Sequence, residues 1–116
     1  MGFYLPSKPM AQELNDRLRV HGDQSIGKIV VHRHITALSG QEMMDIMKAV
    51  RTYNDWCEEK DPYGEHDYGS FEMNGETYIW KIDYYDPSYT YGVDESVRNN
   101  TKECKRLLTI LPADQY

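Results

Sequence analysis

The string Asp61-Pro62-Tyr63-Gly64-Glu65-His66-Asp67 holds residue types suited to proton chemistry, with a histidine set between two acids. A carboxylate can orient an imidazole and raise its pKa, giving a general acid or base near neutral pH. Adjacent residues on an extended chain point to opposite sides, so Glu65 and Asp67 cannot both reach the ring. A more distant acid such as Asp61, Asp83 or Asp86 has to share the work. One reading is therefore a small metal-assisted hydrolase using His66 with Asp67 and Asp83. A competing reading assigns the same string to folding: Pro62 and Gly64 shape a turn, and Glu65 and Asp67 satisfy backbone amides.

Other chemistries find less support. The sequence has no Gly-x-Ser-x-Gly nucleophile elbow and no phosphate-binding glycine loop. Cys57 is flanked by Trp56 and Glu58 instead of a cationic group, and it pairs with Cys104 in no metal-binding spacing. His32 and His34, two apart on an expected strand, share a face and can chelate zinc or nickel if a third ligand arrives. Asp61, Glu65 and Asp67 lack the ligand count and register of a calcium loop. No cofactor is expected.

The third possibility needs no chemistry. Residues 55–95 carry twelve acids against Lys60 and Lys81, a net charge of −10 within an overall −6, leaving the flanks at +4. Eight of the ten tyrosines lie between Tyr53 and Tyr91, in much the same segment. Tyrosine offers rigid contact area at low entropic cost, and acids steer a basic partner toward it. An acidic face disfavours direct contact with nucleic acid or anionic membrane, whose phosphates need Lys and Arg. Tyr63, Glu65, Asp67, Asp83, Tyr85, Asp86, Tyr89 and Tyr91 are the candidate contact residues. Tyr78, Trp80 and Tyr84, alternating along one strand, are instead expected in the core.

The elements that must position these residues follow from periodicity. Residues 7–19 read as a helix, with Ser7 as cap, Pro9 in the first turn, and Met10, Leu14 and Leu18 recurring every four residues. Residues 28–34 are β-branched and read as a strand. Ser39-Gly40-Gln41-Glu42 is a capping box opening a helix expected to reach about Trp56, with Met43, Ile46, Met47, Val50 and Tyr53 inward. Asn74-Gly75 marks a hairpin between strands at 69–73 and 76–85. The second of these carries large groups on both faces, as a central strand does. Residues 86–103 read as a polar loop with room for a short helical turn, and 105–112 as a last strand ended by Pro112. The order α-β-α-β-β-β predicts one α+β domain over residues 1–116. It has two helices on one face of a largely antiparallel sheet of about four strands, and residues 1–6 as a flexible lead.

At 116 residues, with 40% hydrophobic and 28% charged residues, such a domain can bury one core without disulfides. The N-terminal residues lack a signal-peptide apolar stretch and no run is long enough to span a membrane, so a cytoplasmic protein with reduced thiols is expected.

From Asn15-Asp16-Arg17-Leu18-Arg19 onward the chain resembles a bacterial family, domain of unknown function 3768. The resemblance rests on the Asp61 to Asp67 string with Tyr68 and Gly69. It also rests on Trp80-Lys81-Ile82-Asp83-Tyr84-Tyr85-Asp86 and on Leu107-Leu108-Thr109-Ile110. It implies a small stand-alone protein of proteobacteria, their plasmids and phages, with no assigned activity, and its pattern does not feature His32 and His34. Together with the acidic, tyrosine-rich segment, that setting favours a binding protein over an enzyme. It would dock on a basic surface, in one version as an anti-CRISPR-like inhibitor of a nucleic-acid-handling defence complex. The oligomeric state is left open.

Overall fold

Alternation along residues 76–85 places the core. In the computed structural model, which describes residues 10–116, this segment is β3 (Glu76–Tyr85), and it lies inside a four-stranded sheet of order β1-β4-β3-β2. The other strands are β1 (Gly27–Val31), β2 (Tyr68–Met73) and β4 (Lys105–Pro112). Asn74 and Gly75 take φ of 54° and 81°, as a type I′ turn requires, and set Met73 opposite Glu76. β4 pairs antiparallel with β3 and parallel with β1, so the sheet is mixed but mostly antiparallel, and the fold is α+β.

Register assigns the faces. Trp80 sits opposite Ile110, Ile82 opposite Leu108 and Tyr84 opposite Arg106, and all six side chains are buried. They meet Leu14 and Leu18 of α1 (Met10–Arg19) and Ile46 and Val50 of α3 (Gly40–Arg51), which close the core. The other face carries Lys81, Asp83 and Tyr85 beside Leu107 and Thr109, all half-buried. Each inward leucine or isoleucine contributes about 2 kcal/mol of burial, so this one-sided core accounts for the fold without cross-links. Cys57 and Cys104 are free thiols.

The expected boundaries shift in two places, and one lies beyond the described residues. Ser7, Pro9 and the lead at residues 1–6 lie outside the described residues, and Met10, at a periodic position of α1, is 50% exposed. The first strand stops at Val31 instead of His34. His32 becomes the cap of a short helix, α2 (Arg33–Thr36), its Nδ1 accepting from the His34 amide at 3.2 Å while Ile35 plugs the core. The Ser39 half of the capping box forms, since Ser39 Oγ accepts from the Glu42 amide, while Glu42 Oε1 accepts from Ser39 Oγ in place of the Ser39 backbone amide. α3, however, ends at Arg51, five residues short of Trp56. Its last carbonyls are claimed from outside the helix: Thr52 Oγ1 donates to Lys48 O at 2.8 Å, and the buried Arg19 donates to the carbonyls of Val50 and Arg51 at 2.7 and 3.3 Å. A guanidinium on the orphan carbonyls of a helix end satisfies both partners and releases the chain from helical geometry. Residues 53–56 then run out toward the Asp61–Asp67 segment.

Candidate functional site

The Asp61–Asp67 segment is a closed turn organised by its first residue. The Asp61 carboxylate accepts from the amides of Glu65 at 3.0 Å and His66 at 3.3 Å, while Asp61 O accepts from the Gly64 amide at 3.0 Å. Gly64 and His66 both take left-handed φ, 64° and 55°. For histidine that conformation is uncommon and is held here by the two amide bonds. The folding role expected of Glu65 and Asp67 thus belongs to Asp61.

His66 is held by a hydrogen bond at one ring nitrogen and by stacking on one face, with a second carboxylate near its other nitrogen. Its Nδ1 is 2.9 Å from Asp16 Oδ1 of α1, its Nε2 is 3.7 Å from Asp61 Oδ2, and its ring stacks on Trp56. The side chain is 14% exposed. Asp16 also pairs with Arg19 at 3.2 Å, and the Arg19 guanidinium lies 5.1 and 4.9 Å from the ring centroids of Trp56 and Trp80. Arg19 Nε is buried without a hydrogen-bonding partner among the described residues, and these π-faces are what it has instead.

A second polar cluster ties the turn to the sheet. The fully buried Asn15 donates from Nδ2 to Glu65 O at 3.0 Å and to Tyr84 Oη at 2.8 Å, and its Oδ1 accepts from Arg106 Nε. Tyr84 in turn donates to Asp67 Oδ2 at 3.2 Å. Arg98 pairs with Glu65 at 3.3 Å and stands 4.2 Å from the Tyr84 ring centroid. Burial sets the direction of every shifted group here: it raises Asp67, Glu65 and Tyr84 and lowers Arg106. A network of this kind fixes one geometry because each member is costly to leave unpaired.

The hydrolase constellation is not assembled by this fold. Asp67 bonds Tyr84, and Asp83 lies on the opposite face of the sheet beside Lys81, so His66 meets Asp16 and Asp61 instead. A cavity of about 340 Å³ beside the motif is lined by Tyr63, Glu65, Glu95 and Arg98 among others, and His66 is not in its walls. His32 and His34 do not share a strand face: one caps α2 and the other lies in it, their rings edge-to-face at 4.8 Å. Among the described residues no three His, Cys, Asp or Glu side chains gather as metal ligands would.

The eight candidate contact residues divide between two places. Glu65 and Asp67 face inward, engaged by Arg98 and Tyr84, with Tyr63 exposed beside them at 78%. Asp83 and Tyr85 lie on the helix-free face. Beyond them the chain makes a tight turn that returns at the Tyr85–Gly92 bridge. The Asp86 carboxylate accepts from the amides of Thr90 at 2.8 Å and Tyr91 at 3.1 Å and from Ser88 Oγ at 2.8 Å. Tyr89, at φ 59°, folds its ring toward Tyr85 and under the Lys28 ammonium, 4.3 Å away. Tyr91 is left 72% exposed.

Asn15, Asp16, Arg19, Arg98 and Arg106 were not among the site residues expected from sequence. A signal for three of them exists: Ala11, Leu14, Asn15, Leu18 and Arg19 form one helical stripe, and Arg106 alternates in step with Leu108 and Ile110. A polar residue at an inward position of an apolar stripe needs a buried partner.

What the fold and site define is a small α+β domain that binds its own acidic motif into its interior through paired arginines and an asparagine. The chain belongs to a family described as "Protein of unknown function (DUF3768)", whose pattern matches residues 31–115. No curated protein and no solved structure matches it. Among the described residues no helix is long and apolar enough to cross a membrane.

Proposed function

We propose that this chain is a protein-binding module whose tyrosine turn, Tyr85 to Gly92, docks on a basic surface of a partner protein. The observation that carries the reading is the Asp86 cap: three bonds to one carboxylate hold the turn in a single shape while Tyr91 stands out to solvent. A rigid exposed aromatic loses little entropy on binding, which is what distinguishes a contact loop from a sticky one. The net −10 of residues 55–95 supplies the steering charge. The plasmid and phage setting suggested by the family resemblance makes a nucleic-acid-handling defence complex in the cytoplasm the partner class we infer, occupied in the manner of an anti-CRISPR inhibitor.

The test is a pull-down with the tagged chain from bacterial lysates that contain CRISPR and restriction systems, at low and high salt. Mass spectrometry identifies what is retained. The reading expects a basic nucleic-acid-binding complex held at low salt, released at high salt, and lost with Tyr91→Ala or Asp83→Lys. Retention that is indifferent to salt and to both substitutions overturns it.

A further inference from the structure

Away from the acidic segment, an apolar crevice of about 250 Å³ opens between the end of α1, the end of α3 and the sheet. Ile29, Met47, Val50 and Leu108 are among its walls. Val50 and Leu108 are each 1% exposed, so the crevice reaches the packed interior. Met47 and Arg51 border it and also a second hollow of about 480 Å³, which runs along Met43 and Met44. Met43 and Met47, inward by their spacing, are only half-buried, and Met44 beside them is 66% exposed. Methionine is unbranched and polarizable, so such walls reshape around an apolar guest at little cost. Joined hollows of this size, mostly apolar with a few convergent polar groups, have the character of a small-molecule site.

The charge of the walls selects the guest. Every residue lining the two hollows lies outside residues 55–95, in the part of the chain whose net charge is +4. The ionisable ones are Arg19, His21 and Arg51, and no acid is among them. Arg19 is already committed, paired with Asp16 at 3.2 Å and bonded to the carbonyls that end α3. Arg51 is not: it enters none of the ion pairs among the described residues, and residues 1–9 contain no acid. Asp45 of the same helix lies with Lys48 along a different hollow. A guanidinium takes a carboxylate through two parallel bonds, and apolar burial adds to that attraction.

We infer that the joined hollows bind a free medium-chain alkyl carboxylate. Its head group lies on Arg51 with His21 beside it, where the crevice meets the end of α1. Its chain passes Met47 and lies along Met43 and Met44. A neutral chain of the same length gains the apolar contacts alone, and a cationic one meets a like charge. The site shares no residue with the tyrosine turn, so it stands or fails independently of the partner-binding reading.

Isothermal titration of the full chain with decanoate, kept below the concentration at which it aggregates, tests the proposal. Saturable binding of one decanoate per chain is expected. Decanol and decylamine should bind at least about tenfold more weakly, the usual worth of one charge-assisted bond. Arg51→Gln should abolish the preference for decanoate over decanol. Met44→Glu, which sets a carboxylate along the chain's path, should weaken decanoate by about tenfold. Both positions are exposed, so circular dichroism should match the parent. Should either variant fail to fold, amide shifts of the parent chain decide: on adding decanoate they should centre on His21, Met44, Met47 and Arg51. Unsaturable uptake of several decanoates, equal binding of decylamine, or a decanoate preference that survives Arg51→Gln overturns the proposal. So do shifts centred elsewhere, and so does binding seen only after residues 1–9 are deleted.

Discussion

The His66 imidazole lies flat on the Trp56 indole, with 3.7 Å between ring centroids and 7° between planes. Trp56 can reach it because α3 ends at Arg51, and α3 ends there because Arg19 takes its last carbonyls. One arginine therefore both stops the helix and, through Asp16, anchors the histidine above the tryptophan it released.

Asp16 is the shared member of that arrangement, bonded to His66 and Arg19 at once. Asp16→Ala should destabilise the fold by about 2 kcal/mol, because a buried guanidinium loses its counter-charge and the imidazole loses its anchor. Urea unfolding followed by tryptophan fluorescence measures it, since Trp56 and Trp80 both pack on Arg19. A change within a few tenths of a kcal/mol would mean the carbonyls of α3 alone hold Arg19.

The carboxyls of Asp67 and Glu65 are raised, chiefly by burial, so the folded state binds their protons more tightly than the unfolded chain does. Their contribution to stability falls as pH rises from the ordinary carboxylate range through the raised values. Asp23 acts in the opposite sense: bonded by Ser25 first and then Arg17, it is pulled down to about 2, and its contribution is lost only as pH falls below the ordinary carboxylate value. Asp67→Asn keeps an acceptor for Tyr84 without the buried charge. It should leave stability at neutral pH equal or higher and flatten the decline between mildly acid and neutral pH. Urea midpoints for both proteins across that range decide the matter, and an unaltered slope would assign it to another group.

Much of this fold is legible in the sequence. The Asn74-Gly75 turn, the alternation of β3 and the Ser39 cap of α3 are local signals, and each has its expected structure. The edges of elements are less so: α3 ends on a guanidinium that comes from α1, distant in the chain, and β1 ends on a histidine cap that its β-branched run does not announce. The site shows the same division. That Asp61–Asp67 would turn is readable from Pro62 and Gly64. That His66 would choose Asp16, fifty residues earlier, is not, since nothing in the spacing of two distant residues records their contact.

Gly69 is required by size. A Cβ there would overlap Trp80 Nε1 and fall 2.7 Å from Tyr53 Cζ, in a region where neither ring can retreat without disturbing Trp56. Gly69→Ala should cost about 1–3 kcal/mol, the usual range for overpacking a closed core. Thermal unfolding gives the loss, and a shifted Trp80 emission would locate the strain. A variant as stable as the parent would show that β2 can slide away from the rings.

The tyrosine turn gives the last test, because its shape and its contact residue can be separated. Asp86→Ala removes the acceptor for Thr90, Tyr91 and Ser88 while leaving every tyrosine in place. The turn lies at the surface, so the cost to global stability should be small beside the local effect. Amide exchange at Thr90 and Tyr91 should accelerate by a larger factor than anywhere in β3, since local opening there no longer breaks a bond to a carboxylate. If the turn is a preorganised contact, partner binding should weaken in Asp86→Ala mainly through faster dissociation, with Tyr91 still present. Asp83→Lys should weaken it mainly through slower, salt-dependent association. Surface plasmon resonance on the captured partner distinguishes the two rate effects. Equal rates in both variants would remove this turn from the interface while leaving its structural account intact.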